Sequence, residues 1–569
     1  ALQACSTLVT LQPPIKGPPL HDLLRVAMPL YDHPATDPAV VSQVLSALNT
    51  VFVSFLQSLP TLAALATMLD ALQAWLRSNQ AIHRERACSS IQVLLSCLFD
   101  HWKMYGVPPE CQDPDLSDVP AQPSAPTDSA TALPRRVLPC RIVGGALALL
   151  LPRCNDPALT IRVSALEAVQ SLVQLDLVRH PKNKDMLKVT CDDVLPGLTA
   201  VRKNMEGKTA LEWSQAVPSI VVQVTSLIPA SSLKQFCEQL SLGLTDHQPA
   251  SAEGTAIALQ ALMKLRGSEL SQGEVYQVVR MLVLLCAAAR PPPPHVQHQT
   301  AIVLQRLAHH HCIHVVNELL LGTTPHPPFV VQVLQYFATD DSVSVKMVDH
   351  LCEVMNSAPP VVAKITEEPT AEAPPQPTTG ASGLFAGFSK KLTQMTPVMT
   401  KEDKEKAKEQ KKQDIYVLHR RACTAALGKI FSVSSASALV KDRFPKLISS
   451  FLLRIAGANH ERPPVREAAA PETKEAFLCV LVCGKLFGIA DAMKADGNWE
   501  KVTEKEDYLS VIVAITAATS INHPEQMWEI WCCLRPYLAA VCAPFLRTAV
   551  VASLAEMVRH CRSNSQVQE

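Results

Sequence analysis

Glycine is scarce in this chain, at 19 residues of 569, and aromatic residues make up only 5%. Alternating Val/Thr/Tyr runs are rare as well. Sandwiches, barrels and doubly wound sheets draw on all three, so these fold classes are disfavoured. Net charge is also missing, since 52 Lys plus Arg balance 52 Asp plus Glu. No global field draws nucleic acid to the chain, and any electrostatic function must come from local clusters. Unbroken apolar runs such as 142–151 fall well short of the ~20 residues a membrane-spanning helix needs. The long uncharged stretch 40–69 is interrupted by Gln43, Asn49, Gln57 and Pro60, and two packed helices explain it better. Cys-x-x-Cys pairs and Asn-x-Ser/Thr acceptors are absent. The 18 cysteines are scattered, with Cys88, Cys97, Cys479 and Cys483 on apolar helical faces. That usage reads as reduced, buried thiols in a cytosolic protein. The chain opens on Ala1 rather than Met, as a fragment or processed product would.

What is present is Ala and Leu in periodic runs, within a 48% hydrophobic composition. Residues 149–173 are the most informative. An apolar helix is expected to end near Pro152. Asn155 and Asp156 then offer N-cap oxygens, with Pro157 at the first helical position, where its missing N–H costs nothing. A second helix follows, with Ile161, Ala165, Ala168, Val169 and Leu172 on one face and Arg162 near its start. This is the layout of a HEAT-type hairpin, which buries its apolar face only by stacking on neighbours. Asp37-Pro38-Ala39 repeats the Asp-Pro-Ala opening before a stripe of Val41, Val44, Leu45, Leu48, Phe52 and Phe55. The expected fold is all-α, a HEAT/armadillo-like solenoid of helical hairpins interrupted by two disordered linkers.

Composition divides the chain into a helical block over 1–105, a Pro/Ser-rich linker over 106–136, a second block over 137–356, a second linker over 357–413 and a third block over 414–569. In the first block Ile91, Leu94, Leu95 and Leu98 should face inward. In the second, one hairpin should pair 274–289 with 295–311 across the proline run 291–294, which can end one helix and start the next but not sit inside either. In the third, Pro536 should stop or kink a helix over 526–535, and another helix should cover 545–558. The second linker is first acidic and Pro-rich, and ends in a Lys/Glu run over 401–412.

Polar clusters point to little chemistry. His309, His310, His311, Cys312 and His314 are the densest, but adjacent helical residues project about 100° apart and cannot converge on one ion. His310 and His314 could supply two ligands at most, so no metal is expected. Carboxylate pairs Asp192-Asp193 and Asp340-Asp341 are assigned to inter-helix turns, as caps. No phosphate loop, His-Glu-x-x-His, Gly-x-Ser-x-Gly or Gly-x-Gly-x-x-Gly signature is present. The expectation is a protein without catalytic or cofactor-binding residues.

The second linker carries one distinctive piece, residues 384–395. On a helical wheel Leu384, Phe385, Phe388, Leu392 and Met395 share about a 100° arc, with Lys391 at its edge and Lys390 on the far side. Too short to build a core, such a segment can dock in a partner's groove or lie in a lipid interface. Over 390–412 eight Lys stand against four acids, a local charge of +4. Each such charge is worth on the order of 1 kcal/mol at an anionic membrane. A solvated spacer, or a helix packed back on the solenoid, remains the alternative.

The stretch 301–312, with Leu307, Ala308, His311 and Cys312 as its core, then Val315-Val316 and Leu319-Leu320-Leu321, resembles the motif of the maestro heat-like repeat-containing proteins. The chain departs from that pattern after the turn, with Pro327-Pro328 and with Leu334 near the family's Trp position. Weaker similarity to the C-terminal part of the member-1 branch reaches Phe444-Pro445-Lys446-Leu447. The resemblance implies a non-enzymatic solenoid in which the motif residues are structural. For that branch it implies a cytoplasmic protein held peripherally on the cytosolic face of the lysosomal membrane. It also implies self-assembly there, and constriction or fission of lysosomal tubules under a Rab-type small GTPase. The expectation is therefore a scaffold at a membrane surface that binds other proteins and no nucleic acid. The alternative is a soluble adaptor or transport-receptor-like solenoid that never meets lipid.

Overall fold

The computed structural model describes residues 38–111, 140–179, 184–225, 227–321, 324–357, 401–461, 463–504 and 506–560, with isolated residues near the N-terminus. Among the described residues every regular element is helical and no strand occurs. The chain forms two compact units, Ala1–Leu319 with Pro327–Tyr336, and Leu320–His326 with Phe337–Glu569.

The first unit contains α1 (Pro38–Ser58), α2 (Leu62–Leu76), α3 (Ala81–Tyr105), α4 (Cys140–Leu150), α5 (Leu159–Arg179), α6 (Lys184–Met205), α7 (Ala210–Thr225), α8 (Leu233–Ser241), α9 (Pro249–Arg266), α10 (Gln272–Cys286), α11 (Pro294–Leu320) and α12 (Pro328–Phe337). Helix α3 packs on α1, α2 and α5, α9 packs on α7, and α8 packs on α4 and α10. Ile161, Ala165, Ala168, Val169 and Leu172 of α5 are fully buried, as are Ile91, Leu94, Leu95 and Leu98 of α3. Each such Leu, Ile or Val contributes roughly 1.5–3 kcal/mol by leaving water. The ends are set by local chemistry. Thr61 accepts from the Ala64 N–H to start α2, Ser271 and Glu274 form a reciprocal box before α10, and Gly106 at φ 84° ends α3.

The second unit contains α13 (Asp341–Asn356), α14 (Lys401–Ile430), α15 (Phe444–Asn459), α16 (Pro463–Cys483), α17 (Phe487–Lys494), α18 (Tyr508–Asn522), α19 (Met527–Leu534) and α20 (Pro544–His560). Asp340 caps α13 by accepting from the N–H groups of Ser342 and Val343. Helix α14 packs between α13 and α16, and α18 between α17 and α20. Helix α19 gives way at Arg535 to a short 3-10 turn containing Pro536.

Several expectations are corrected. Pro157 is not the first helical residue, because α5 begins at Leu159. The Asp156 carboxylate does accept the Ala158 N–H at 3.1 Å. Asn155, by contrast, donates through Nδ2 to the carbonyl of Ala250, so its amide bridges repeats instead of opening the helix. Asp192-Asp193 lie inside α6 and not at a turn, since packing against α5 and α7 carries that helix onward. Residues 107–111, assigned to the first linker, include a short 3-10 turn whose Cys111 is buried and whose carbonyl accepts from Arg179 Nε. Residues 401–413, assigned to the second linker, are the opening turns of α14. Their sequence sets Glu402 four residues before Lys406 and Glu405 three before Lys408, a spacing that favours helix without apolar residues. The remainder of both linkers lies outside the described residues, and so do Leu384, Phe385, Phe388, Lys390, Lys391, Leu392 and Met395.

Candidate functional site: the interior ladder and the exposed faces

The densest polar chemistry lies inside the first unit, at the turns between helices. Arg84 of α3 donates from Nε to Asp156 Oδ2 at 2.7 Å and from Nη2 to Oδ1 at 3.1 Å. Its Nη1 donates to the carbonyls of Ser78 and Asn79. Arg153 lies 3.6 Å from the same Asp156 and also pairs with Asp246. Arg162 Nη1 donates to the carbonyls of Asp156 and Pro157, and its guanidinium lies over the Trp213 ring. Arg84, Arg153, Asp156 and Asp246 are all buried. Each turn therefore hands its carboxylate to an arginine of the preceding repeat, and the ladder ties three hairpins together.

The second unit also buries charged pairs, in other arrangements. Buried Arg454 donates to Glu461 at 2.5 Å and to Thr424 Oγ1 at 3.2 Å. Arg421 reaches Glu472 at 2.6 Å. Arg420 donates to the Met355 carbonyl. Burial, then the neighbouring charge of Arg454, pulls its pKa down to about 10.

The motif residues sit in α11. Leu307 and Ala308 are fully buried and Cys312 is nearly so. His311 departs from helical geometry, at φ −133° and ψ 43°, so the run of histidines is not one regular helix as the periodicity argument assumed. Its Nε2–H donates to the Gly267 carbonyl at 3.0 Å. His314 Nδ1 meets the Tyr276 hydroxyl at 2.9 Å, and Arg280 reaches Glu318 at 2.7 Å. These bonds clamp α11 to α10 and to the end of α9. Among the described residues no three His, Cys, Asp or Glu side chains are grouped to hold a metal ion. The buried thiols of Cys88, Cys237 and Cys352 are pushed up to about 12 by burial, which leaves them protonated and unreactive.

A second feature lies on the surface of the second unit. Val482 on α16, Phe487 at the start of α17 and Ile521 near the end of α18 are 60%, 63% and 65% exposed, with Leu478 one turn before Val482. A Cβ added at Gly488 would lie 2.6 Å from Asn522 Nδ2, which brings Phe487 and Ile521 to one helix junction. Sequence reasoning missed this group. Its members keep helical spacing with buried neighbours and read as core.

Two family models match the chain: "Maestro, HEAT repeats" over residues 135–348 and "SGR6, HEAT repeats" over residues 384–561. The chain is 23% identical over 99% of its length to Maestro heat-like repeat-containing protein family member 1 of Dictyostelium discoideum. The same-named protein of Bos taurus is 21% identical over 88% of the chain. The chain is thus similar to the Maestro heat-like repeat family, whose model it matches over residues 135–348. It spans 32% of the Dictyostelium protein and 28% of the bovine one. Among solved structures, Kap121p bound to Nup53p aligns over 100% of this chain and 59% of its own, at 11% identity and a TM-score of 0.21. Kap121p bound to the extreme C-terminus of the protein phosphatase Cdc14p covers 99% and 62%, at 10% identity and a TM-score of 0.20. Scores so low carry no argument. The first model covers the Arg84-facing turn at Asp156, the Asp246 turn and the His311 clamp.

Proposed function

We propose that the chain is a non-enzymatic HEAT-repeat scaffold that binds other proteins through its helical surface and works at a membrane. The observation that carries the scaffold reading is the division of labour in the second unit. Arg421 and Glu472 join two helices and Arg454 pairs with Glu461 at the end of α15, while Phe487 and Ile521 stand in water. Exposed apolar residues at one junction suit a protein partner or a second copy of the chain.

The membrane part of the reading rests on the amphipathic residues 384–395 and on the family resemblance. In it, Leu384, Phe385, Phe388, Leu392 and Met395 enter the lipid interface while Lys390 and Lys391 meet anionic headgroups. The member-1 resemblance extends it to the cytosolic face of the lysosome, with self-assembly, a Rab-type small GTPase as regulator, and constriction or fission of tubules. A soluble adaptor is the second reading, favoured by the Phe487 and Ile521 exposure alone.

Flotation of the full chain with vesicles containing anionic lipid separates the two. The membrane reading expects the chain to float, and Phe385→Asp with Phe388→Asp to weaken binding by well over tenfold. Each inserted phenylalanine is worth roughly 1.5–3 kcal/mol before ordering costs. Lys390→Ala with Lys391→Ala should weaken it less, in a part that fades at high salt. A chain that stays at the bottom of the gradient, or a double-Asp variant that floats unchanged, removes the role given to these residues.

A further inference from the structure

Next to the ladder of the first unit lies a small cavity of about 10 Å³, walled in part by Leu76, Arg77, Pro152, Arg153, Gly243 and Asp246. Its size admits one atom-sized occupant. The charges around it do not balance. Of the charged side chains that line it, Arg77 and Arg153 are positive and Asp246 alone is negative. The carboxylates are already engaged. Asp156 takes both nitrogens of Arg84 and the Ala158 N–H, while Asp246 takes Arg153 and the Gln248 N–H. Arg84 and Arg162 spend further donors on backbone carbonyls.

Two guanidiniums have donors left over, and both line the cavity. Arg153 is 1% exposed, and its Nε and Nη1 have no hydrogen-bond partner. No hydrogen bond among the described residues uses the Arg77 side chain. A buried charged donor without an acceptor is costly, more so than a neutral one. A water would answer the donors but not the surplus charge, and its own hydrogens would compete for oxygens already engaged. Sulfate and phosphate are too large.

We infer that this cavity is a binding site for one monatomic anion, chloride in ordinary saline, held between the Arg77 and Arg153 guanidiniums. Leu76 and Arg77 close α2, Pro152 and Arg153 follow α4, and Gly243 and Asp246 follow α8. The ion thus completes the ladder where three hairpins meet.

The test uses the full chain crystallised with bromide in place of chloride, with data collected at the bromine edge. The expected result is an anomalous peak in the cavity against Arg77 and Arg153. In solution the melting temperature should rise saturably with sodium chloride compared with sodium gluconate at equal ionic strength, as for any ligand of the folded state. That difference should vanish in Arg77→Gln, a replacement that strands no carboxylate because Arg77 holds none by a hydrogen bond. A cavity without anomalous signal, filled by water alone, overturns the inference, and so does a chloride dependence that Arg77→Gln leaves unchanged.

Discussion

Asp156→Ala is the most incisive single perturbation of this fold. The side chain is fully buried, takes two hydrogen bonds from Arg84 and one from the Ala158 N–H, and lies 3.6 Å from Arg153. Its removal leaves Arg84 buried with only the Ser78 and Asn79 carbonyls, and Arg153 with Asp246 alone. Breaking a buried pair from one side costs ~3–5 kcal/mol, most of it the penalty of the stranded charge. The two carbonyl bonds that Arg84 keeps place the expected cost near the low end, at ~3 kcal/mol. Arg84→Met strands Asp156 in turn, and should cost a similar amount. The double replacement removes both charges, so its cost should fall below the sum of the singles by on the order of 1–3 kcal/mol. Arg84→Lys should not substitute, since an ammonium cannot serve a bidentate carboxylate and two carbonyls together. Urea unfolding gives the energies, and hydrogen exchange at the first turn of α5 reports whether the loss is local to this turn. A cost below about 1 kcal/mol for Asp156→Ala, or strict additivity in the double variant, would refute the claim that the pair works as one buried unit.

Three other outcomes are expected. Gly254→Ala places a methyl 2.5 Å from Asn155 Cβ and 3.3 Å from the Pro152 carbonyl; it should cost about 1–3 kcal/mol in urea unfolding, the usual price of overpacking a tight contact. Lys485 holds φ 56° at the end of α16, where the Leu486 N–H returns to the Leu481 carbonyl. Lys485→Gly relieves a left-handed backbone and should raise stability by roughly 0.5–1 kcal/mol after the added freedom of the unfolded chain. His326 is buried, and its Nε2–H donates to the Ala422 carbonyl. Burial lowers its pKa from the ordinary 6.5, against the opposing pull of that carbonyl. The unfolded chain thus takes up a proton before the folded one, so the contribution of His326 is present above about pH 6.5 and is lost as pH falls below it. Urea titrations of the wild type and His326→Gln between pH 7.5 and 5.5 should converge as the pH drops, and parallel curves would remove His326 as the source.

How much of this was legible beforehand depends on whether the deciding interaction is local. The inward faces of α3 and α5 could be read because residues three and four apart share a side of a helix, and the Asp340 cap because its capping bonds reach the nearby N–H groups of Ser342 and Val343. Asp156 could not be read in full. A turn aspartate is a sensible cap from its neighbours, but its main partner, Arg84, lies 72 residues earlier. No spacing rule reaches that far. The opening of α14 was grouped with the linker for the opposite reason. Its sequence offers helical charge spacing with no apolar stripe, and a search for cores passes over it. Phe487 and Ile521 resemble core residues in sequence because exposure belongs to the arrangement of three helices, not to the residues themselves.

The interior ladder also bears on why such a chain spends its charges inside. A buried ion pair is often no more stabilising than well-packed apolar residues of the same volume, so stability alone is a poor account of Arg84, Arg153 and Arg454. Register is a better one. The helices of a solenoid present similar stripes of Leu, Val and Ala, and those stripes would tolerate a slip of one turn. An arginine that must meet one carboxylate and named carbonyls tolerates no such slip. By this argument Arg84→Met with Asp156→Leu should recover much of the stability lost by either single change, yet leave the α3–α5 contact less sharply defined. Faster hydrogen exchange across both helices at nearly unchanged urea midpoint would be the signature of lost register, and unchanged exchange would return the ladder to a stabilising role alone.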